Sequence, residues 1–484
     1  MHDDTAAREW YDRLHETLGA HGVTVPEDTP RARRVTVPWR REWGFWHLDA
    51  TPEQADAAVA AAREAGKAWR ADEGARREAL RALADAVAAN SEVFTRLISF
   101  ENGKLAPAAA MEVGASVGSL RLFADAEIPV EVLRRTETET LRLVREPIGV
   151  VVAITPANMP LLMLVNKVAT ALLTGNTVVA KPSPYTPLSA LLLGALAAPV
   201  LPPGVFQVVP GDAEIGRALV EHPDTGMITL TGSRAAGKAV MAAAAGTLKR
   251  VQLELGGNDP AIVLPDAPLD EVLPEIFRSA FASSGQACVA TKRVYVPAER
   301  AEEVTAALVR LADAARVGTP FDAEATHPAL TNIDQYRRVA ALIETVGADG
   351  GQVRTGGVVD TDEGFFIRPT VVSGLGDGAE LVDEEQFGPV LPVIRYDDVD
   401  AVIDTVNSGP YGLGATIWTA DEAAAEPLAR RLDVGMAWIN RTPRPDPTIP
   451  FGGMKESGIG REGGSAGLDA FCELKVIGAS GGAA

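Results

Sequence analysis

The chain has 484 residues, with 65 acidic and 45 basic side chains, which gives a formal net charge of −20. That charge disfavours nucleic acids and anionic membranes as partners, because both are polyanions. The chain is too long for a single core, so we expect at least two domains. No stretch is apolar for long enough to span a membrane. Two cysteines cannot form a disulfide framework, and no spaced metal-ligand motif occurs. These features predict a cytoplasmic, multidomain protein without a metal site.

Residues 1–50 mix basic and aromatic side chains, and two interpretations stay open for them. They form either an arm that packs on a partner subunit or a loosely attached leader. The next segment is clearer, since Thr51, Pro52 and Gln54 together form a typical helix start. Apolar residues at helical spacing predict a helix here and further helices over 73–89, 91–99 and 106–126.

Strand patterns dominate the centre of the chain. Residues 131–147 alternate in polarity and predict a two-strand ribbon, which is marginal alone and needs a partner. It is either an ordinary edge hairpin or part of an oligomerisation arm. From residue 148 onward strands alternate with helices, which is typical of an α/β, doubly wound, Rossmann-like parallel sheet. Ligands of such sheets bind at the carboxyl ends of the strands. A second alternation after residue 290 predicts a second α/β domain.

The most informative stretch covers residues 251–296. Glu254 follows a short apolar alternation and precedes two glycines, so it is predicted at a strand end where the backbone bends sharply. Cys288 follows an apolar, helix-like segment and lies in a run of small residues. A thiol needs a base or a positive environment to become a thiolate, and Glu254 can act as that base. Taken alone, such a cysteine is more often a small buried hydrophobe.

Four motifs occur in the order LELGGNDP, GQAC, EEQFGP and PFGGMKESGIGRE. In this order and at these separations they resemble the aldehyde dehydrogenase superfamily, from about residue 51 onward. The resemblance implies oxidation of an aldehyde to a carboxylic acid with NAD or NADP. It also implies a cofactor domain over 51–127 and 148–254, a catalytic domain over 255–450 and an oligomerisation arm. That arm comprises 128–147 and 463–484, and the role of residues 1–50 stays open.

The same resemblance implies roles for the reacting residues. Cys288 attacks the aldehyde, forming a thiohemiacetal and then a thioester, which water hydrolyses with Glu254 as base. Asn158 and the backbone N–H of Cys288 hold the oxyanion, although an asparagine close to two prolines is also an ordinary turn residue. Lys167 and Glu473 match positions proposed to relay protons, with a surface lysine as the alternative for Lys167. The presence of Glu254 argues against the branch that releases acyl-CoA.

Implied cofactor contacts lie at strand ends and glycine turns. They are Thr155, Pro156, Lys181, Ser183, Pro184, Gly211, Gly232, Ser233, Gly237, Leu255, Gly256, Glu385 and Phe387. The turn from Gly232 to Gly237 is a weak signal alone, but it opens a helix whose N-terminus suits a pyrophosphate.

Two positions bear on the choice between NAD and NADP. Lys181 is implied to bind the adenosine ribose, and Pro184 replaces a glutamate that the family uses there. Because a carboxylate repels a 2′-phosphate, its loss removes a barrier to NADP. Arg234 either adds charge for a 2′-phosphate or faces solvent. The choice stays open, with NAD slightly favoured.

Implied substrate-pocket positions are Met159, Met163, Asn166, Arg441 and Phe451. Ala157 and Met159 replace two aromatic rings of the family motif, which predicts a roomier pocket with Asn166 as a polar wall. Arg441 and Arg444 are candidate contacts for an acidic or phenolic group, with solvent-facing arginines as the alternative.

The predicted partner is a small-molecule aldehyde, and the predicted assembly is a homodimer or homotetramer. Two alternative functions stay open. One is an NADP-preferring biosynthetic semialdehyde or aromatic-aldehyde dehydrogenase. The other is a non-catalytic binding or structural protein on the same fold.

Overall fold

A computed structural model describes residues 5–359, 362–444 and 446–480. The chain begins with helix α1 (Thr5–Ala20) and a hairpin of β1 (Ala32–Thr36) and β2 (Gly44–Leu48). Trp39 and Phe45 from this segment are buried beside Phe100 of the following helices. The segment therefore packs into the hydrophobic core of its own chain, and it is not a loosely attached leader.

Four helices form the next layer, which we call the helical layer: α2 (Pro52–Trp69), α3 (Glu73–Ala89), α4 (Ser91–Asn102) and α5 (Ala106–Asp125). Helix α2 begins as the sequence predicts. The Thr51 side chain accepts from the Gln54 N–H, and the Gln54 side chain accepts from the Thr51 N–H. An antiparallel ribbon follows, formed by β3 (Glu131–Arg135) and β4 (Glu139–Pro147).

A parallel sheet begins after this ribbon, and we call it the cofactor sheet because the resemblance implies a cofactor domain here. Its elements are β5 (Val150–Ile154), α6 (Pro160–Leu173), β6 (Thr177–Lys181), α7 (Leu188–Ala197), β7 (Phe206–Val208), α8 (Ala213–Glu221), β8 (Thr225–Thr231), α9 (Arg234–Ala244) and β9 (Arg250–Glu254). These five strands pair in parallel in the order β9-β8-β5-β6-β7. This confirms the doubly wound α/β fold and brings the carboxyl ends of the strands to one edge.

A second sheet follows in the chain. Its elements are β10 (Pro260–Val263), α10 (Leu269–Phe281), β11 (Arg293–Pro297), α11 (Ala301–Asp313), α12 (Ile333–Thr345), β12 (Gln352–Val358), β13 (Ile367–Ser373), α13 (Glu380–Asp383), β14 (Val390–Tyr396), α14 (Val399–Ser408), β15 (Gly414–Trp418), α15 (Glu422–Arg431) and β16 (Met436–Ile439). The seven strands have the order β12-β13-β14-β11-β10-β15-β16, and β12 is antiparallel to its neighbour.

The last part of the chain returns to the first sheet. Strand β17 (Gly458–Ile459) pairs antiparallel with β9, with Gly458 opposite Glu254. It completes a six-stranded cofactor sheet, although it lies outside the segments assigned to that domain from the sequence. Helix α16 (Gly464–Ala470) and strand β18 (Cys472–Ser480) follow, and β18 pairs with β4 along its whole length. Within the described parts of the chain, no helix has the length and apolarity needed to cross a membrane.

Candidate active site

A strained turn carries Cys288 at the end of α10. Ser283 and Ser284 adopt left-handed backbone conformations, with φ of 49° and 55°, and Gly285 follows with φ of 72°. Non-glycine residues reach this region at a cost of about 1–3 kcal/mol each, so surrounding contacts must hold them there. The Ser284 hydroxyl donates to the carbonyl of Pro328 at 2.6 Å. The turn is thereby fixed, and it presents a half-buried Cys288.

Asn158 lies against this turn. Its Nδ2 donates to the Gln286 carbonyl at 2.9 Å, two residues before Cys288. The Asn158 carbonyl accepts from Lys104 Nζ at 2.9 Å, which anchors the loop after β5. The structure therefore brings the Asn158 amide and Cys288 to the same place.

The surroundings of Cys288 disfavour its thiolate. Burial raises the pKa of the thiol to about 12, and the negative charges of Glu385, Asp259 and Glu254 act in the same direction. Lys292 opposes them. A thiol with such a pKa needs help to become the nucleophilic thiolate at neutral pH.

Glu254 ends β9 and is 3% exposed. Neither of its carboxylate oxygens hydrogen-bonds to any residue that the structure describes. Burial raises the pKa of Glu254 well above its usual range, and nearby Glu462 adds to this, while Lys167 and Arg461 lower it. A buried, unpaired carboxylate with a raised pKa is suited to accept a proton.

Behind Glu254 lies an ion pair that contains Lys167, one of the two predicted relay residues, but not Glu473, the other. The buried Lys167 ammonium donates to the Glu462 carboxylate, and also to the Thr229 hydroxyl at 3.0 Å. Glu473 is not part of this group. It lies on β18 and forms a 2.6 Å ion pair with Arg250, at the opposite end of β9 from Glu254. Glu462 is the last residue of the PFGGMKESGIGRE motif, so its position in the motif was the signal available in the sequence.

The cofactor positions lie where the sheet topology places them. Thr155 and Pro156 follow β5, Ser183 and Pro184 follow β6, and Gly211 follows β7. Gly232 follows β8, and Ser233 caps α9 by accepting from the Ala236 N–H at 3.2 Å. Together they line the edge at which a doubly wound sheet binds ligands.

Close backbone approaches accompany these positions. A Cβ added to Gly237 would lie 2.5 Å from Leu255, and one added to Gly256 would lie 2.2 Å from Glu385. Glu385 accepts from the Gly257 N–H at 3.3 Å, and Phe387 has a left-handed φ of 47°. A side chain at either glycine would displace the end of the facing Leu255 or Glu385 side chain, so the two glycines allow this close approach.

Lys181 has donors to spare. It is 6% exposed, and among the described residues its Nζ donates only to the neighbouring Pro182 carbonyl, at 3.2 Å. An ammonium has three donors, so two remain for hydroxyl groups of a ligand. Burial lowers the pKa of Lys181 to about 8. These donors, the close glycine contacts and the positive dipole end at the N-terminus of α9 fit a dinucleotide.

Charged groups around Lys181 include one that the sequence analysis missed. Arg33, from the N-terminal hairpin, forms ion pairs with Asp49 and with Asp212, the latter at 3.4 Å. Asp212 also caps α8 by accepting from the Glu214 N–H at 3.0 Å. Nothing in the local pattern of residues 1–50 indicated this contact, because its partner lies far along the chain.

The substrate-pocket candidates divide into two groups. Met159 and Met163 lie at the start of α6, and Asn166 lies one turn on. The Asn166 Oδ1 atom is buried without a partner among the described residues. Arg441 is exposed and lies over the Trp438 ring at 5.0 Å.

The remaining two candidates lie further along the loop. Arg444 is exposed. Phe451 pairs through its backbone with Glu462, so it lies beside the Lys167–Glu462 pair.

The aldehyde dehydrogenase family profile matches residues 25–477. The chain belongs to the aldehyde dehydrogenase family.

Individual relatives agree with this assignment. Aldehyde dehydrogenase LUC3 of Fusarium sp is 38% identical, over 88% of this chain and 91% of the relative. 2-Hydroxymuconic semialdehyde dehydrogenase of Pseudomonas sp. (strain CF600) is 37% identical over the same shares. The crystal structure of betaine aldehyde dehydrogenase from Staphylococcus aureus in complex with NAD+ superposes with a TM-score of 0.92. It is 28% identical and covers 98% of both chains.

The protein is therefore an NAD(P)-dependent aldehyde dehydrogenase, which confirms the reaction class expected from the sequence motifs. With this family assignment, the alternative of a non-catalytic binding or structural protein on the same fold is not needed. Within the described residues no group of side chains forms a metal site.

Proposed function

We propose that this aldehyde dehydrogenase is of the hydrolytic type, with Cys288 as nucleophile and Glu254 as the base that activates water. The observation that carries the proposal is the state of Glu254, which is buried with both oxygens free. Its strand end also approaches the nucleophile, since a Cβ on Gly257 would lie 2.6 Å from the Cys288 carbonyl. A base and a nucleophile on adjoining segments are what acyl transfer to water requires.

The proposed reaction begins when Cys288 gives its proton to a solvent water molecule and its sulfur adds to the aldehyde carbon. The carbonyl oxygen becomes an oxyanion, which accepts from the Asn158 amide and the Cys288 N–H. When bound, the cofactor supplies the hydride acceptor for the oxidation. Cys288 then holds the acyl group as a thioester. Glu254 takes a proton from water, the resulting hydroxide adds to the thioester carbon, and the thiolate leaves as the carboxylic acid forms.

We propose NAD as the preferred cofactor. Arg234 is engaged by Glu456 at 2.8 Å and by Glu384 at 3.2 Å, and Arg33 is paired with Asp49 and Asp212. Both arginines are thus already paired with carboxylates, so neither offers an unpaired guanidinium to a 2′-phosphate. The competing candidate is an NADP-preferring biosynthetic enzyme, which Pro184 favours because it offers no carboxylate.

We propose that the substrate is an aldehyde with a polar or acidic group remote from the carbonyl. The Asn166 Oδ1 and the Trp438 Nε1 are both buried and lack partners among the described residues. Buried polar atoms without partners are rare unless a ligand or water satisfies them. Arg441, which is exposed, supplies positive charge beside the Trp438 ring.

We also propose a homodimer or homotetramer that associates through the ribbon of β3, β4 and β18. Val132, Leu133, Leu474 and Val476 on these strands are all about half exposed. Apolar edges of this kind are usually covered in an assembly. The two cysteines are unpaired, which is compatible with the cytoplasm. Light scattering on the purified protein tests the assembly, and a monomer at micromolar concentration would contradict it.

The test of the reaction follows the absorbance of the reduced nicotinamide. Native protein is mixed with NAD or NADP and with aliphatic, aromatic and acidic semialdehydes, beside a Cys288→Ala control. We expect turnover that is lost in the control, a higher kcat/KM with NAD, and preference for the acidic semialdehydes. Turnover retained by Cys288→Ala would overturn the proposed nucleophile.

A further inference from the structure

Lys292 is a buried lysine that the proposed reaction does not use. It lies four residues after Cys288 and is 1% exposed. Its Nζ donates to the Ala287 carbonyl and to the Gly285 carbonyl at 3.4 Å. Both acceptors belong to the strained turn that presents Cys288. Burial of a lysine is costly unless its ammonium is well bonded, so this placement calls for an explanation.

The backbone of Lys292 is fixed as firmly as its side chain. Its N–H donates to the Asp259 carbonyl at 2.9 Å, and its carbonyl accepts from the Gln386 side chain at 2.7 Å. The ammonium lies 5.4 Å from the centre of the Phe387 ring. These contacts hold Lys292 in place, so its ammonium stays bonded to the carbonyls of the turn.

The hydrogen bond from Lys292 to the Ala287 carbonyl acts on the peptide unit between Ala287 and Cys288. A trans peptide is planar, and its C=O and N–H point in opposite directions. A donor that holds the Ala287 carbonyl therefore also sets the direction of the Cys288 N–H. In the proposed reaction that N–H receives the oxyanion. A cation on the carbonyl also polarises the N–H and makes it a better donor.

Charge adds a second effect. Glu385, Asp259 and Glu254 all disfavour a negative charge on Cys288, and Lys292 is the cation that opposes them. Glu385, Asp259 and Cys288 are also the charged groups that act on Lys292. Both side-chain acceptors of Lys292 are neutral carbonyls, so no bonded carboxylate cancels its charge. Burial lowers the pKa of its ammonium, and Glu385, Asp259 and Cys288 act in the opposite direction.

We propose that Lys292 is a positioning residue for the reaction. It orients the peptide that carries the oxyanion-binding N–H of Cys288 and stabilises the thiolate of that residue. The inference rests on the proposed role of Cys288 as nucleophile. It extends that role by assigning a function to a residue that does not touch the substrate.

The experiment measures the reaction of Cys288 with iodoacetamide in the protein without cofactor, between pH 6.5 and 9. Peptide mass spectrometry reads Cys288 separately from Cys472. Lys292→Met removes both the charge and the donor, whereas Lys292→Gln removes the charge and keeps a donor. Lys67→Met is the matched control, since this exposed lysine pairs with Glu64 on the surface of α2.

We expect both Lys292 variants to be alkylated about tenfold more slowly than the native chain at each pH. Loss of the cation raises the pKa of the thiol, and the thiolate fraction falls tenfold for each unit. The control should stay within twofold. In turnover, Lys292→Met should lose more kcat than Lys292→Gln, with little change in KM, because only the glutamine adds a side-chain donor to the Ala290 N–H that already bonds the Ala287 carbonyl.

A purely structural role predicts the opposite alkylation result, since a loosened turn exposes the thiol and speeds its reaction. Variants that melt near the native temperature and alkylate as fast as the native chain would overturn the proposal. If neither neutral variant folds, Lys292→Arg decides, because it keeps the charge. Alkylation within about threefold of the native rate would then support the proposal, and a tenfold loss would overturn it. Failure of Cys288 as nucleophile would appear separately, as turnover in Cys288→Ala.

Discussion

Buried carboxylates occur in two regions of this enzyme. Those in the helical layer accept hydrogen bonds, whereas Glu254 accepts none from the residues that the structure describes. In the helical layer, Glu101 is 0% exposed and accepts from the N–H groups of Leu188 and Ser189 at the start of α7, at 2.7 and 3.0 Å. Helix N-termini present unpaired N–H groups and a positive dipole end, so a carboxylate there is well satisfied.

Glu112, on the next helix of the same layer, follows the same rule. It is 2% exposed and accepts from the Leu161 N–H at the start of α6, at 3.0 Å. Its other oxygen accepts from the buried Lys104 ammonium. Glu254, the proposed base, is equally buried, but neither of its carboxylate oxygens has a hydrogen-bond partner among the residues that the structure describes. Burial alone therefore does not distinguish a reactive carboxylate from a structural one; the absence of hydrogen-bond partners does.

The largest effect is expected from Glu254→Gln, which removes the proposed base without changing its size. Steady-state kcat should fall by about 10²–10⁴-fold, the usual contribution of a general base. In the proposed reaction Glu254 acts only in hydrolysis of the thioester, and acylation of Cys288 precedes that step. A first-turnover burst of reduced nicotinamide should therefore remain. Stopped-flow absorbance and intact-protein mass measure the burst and the trapped acyl group. A steady-state rate within tenfold of the native rate would contradict the assignment.

Glu112→Gln tests the structural side of the comparison. It leaves Lys104 as a buried charge without its anionic partner, which typically costs about 3–5 kcal/mol of unfolding free energy. Urea unfolding measures this cost. Glu64→Gln is the matched control, because Glu64 forms only an exposed pair with Lys67. A stability loss no larger than that of the control would show that the capping contact is dispensable.

Glu101→Gln should cost less, about 1–3 kcal/mol, since it leaves no lysine unpaired. Its cost should also depend on pH. Burial raises the pKa of Glu101 to about 7, so the native fold is favoured by the protonated form. The stabilisation by protonated Glu101 is fully present below the pKa that Glu101 has in the unfolded chain, and it is lost as the pH rises towards 7. The difference in unfolding free energy between native and variant should therefore shrink between pH 5 and pH 8. A difference that grows over this range would refute the raised pKa.

The smallest effects separate Glu462 from Glu473. Glu462 raises the pKa of Glu254, and Lys167 lowers it. Removing Glu462 leaves Lys167 unopposed, so the rising limb of the kcat–pH profile should move to lower pH by roughly one unit in Glu462→Gln. In Glu473→Gln the profile should not move, and stability should change by less than about 0.5 kcal/mol. The reverse result would restore Glu473 to the proton path.

Much of this arrangement was open to prediction from local sequence. The alternating strands and helices fixed the parallel sheet, and the glycines after Glu254 placed that residue at a strand end. The capping pattern at Thr51 located the start of α2. Each of these signals depends on residues within one or two turns of each other, where sequence spacing translates directly into geometry.

The contacts that prediction missed are all long-range. Lys167 meets Glu462, and Arg33 meets Asp212. No periodicity links residues so far apart, so neither ion pair could be predicted from sequence spacing. Lys292 was overlooked for another reason. A lysine is expected at the surface, and its burial becomes visible only in the folded chain.

The return of β17 to the cofactor sheet has a consequence for biosynthesis. Strand β9 ends the first domain in sequence, but its outer edge stays unpaired until residues 458–459 have been made, after the whole seven-stranded sheet. Chains that fold during translation usually complete one domain before the next. Here the nascent cofactor domain must wait with an open strand edge at Glu254. A ribosome that stalls within the second domain would leave that edge exposed to other chains, so nascent-chain quality control should recognise such intermediates.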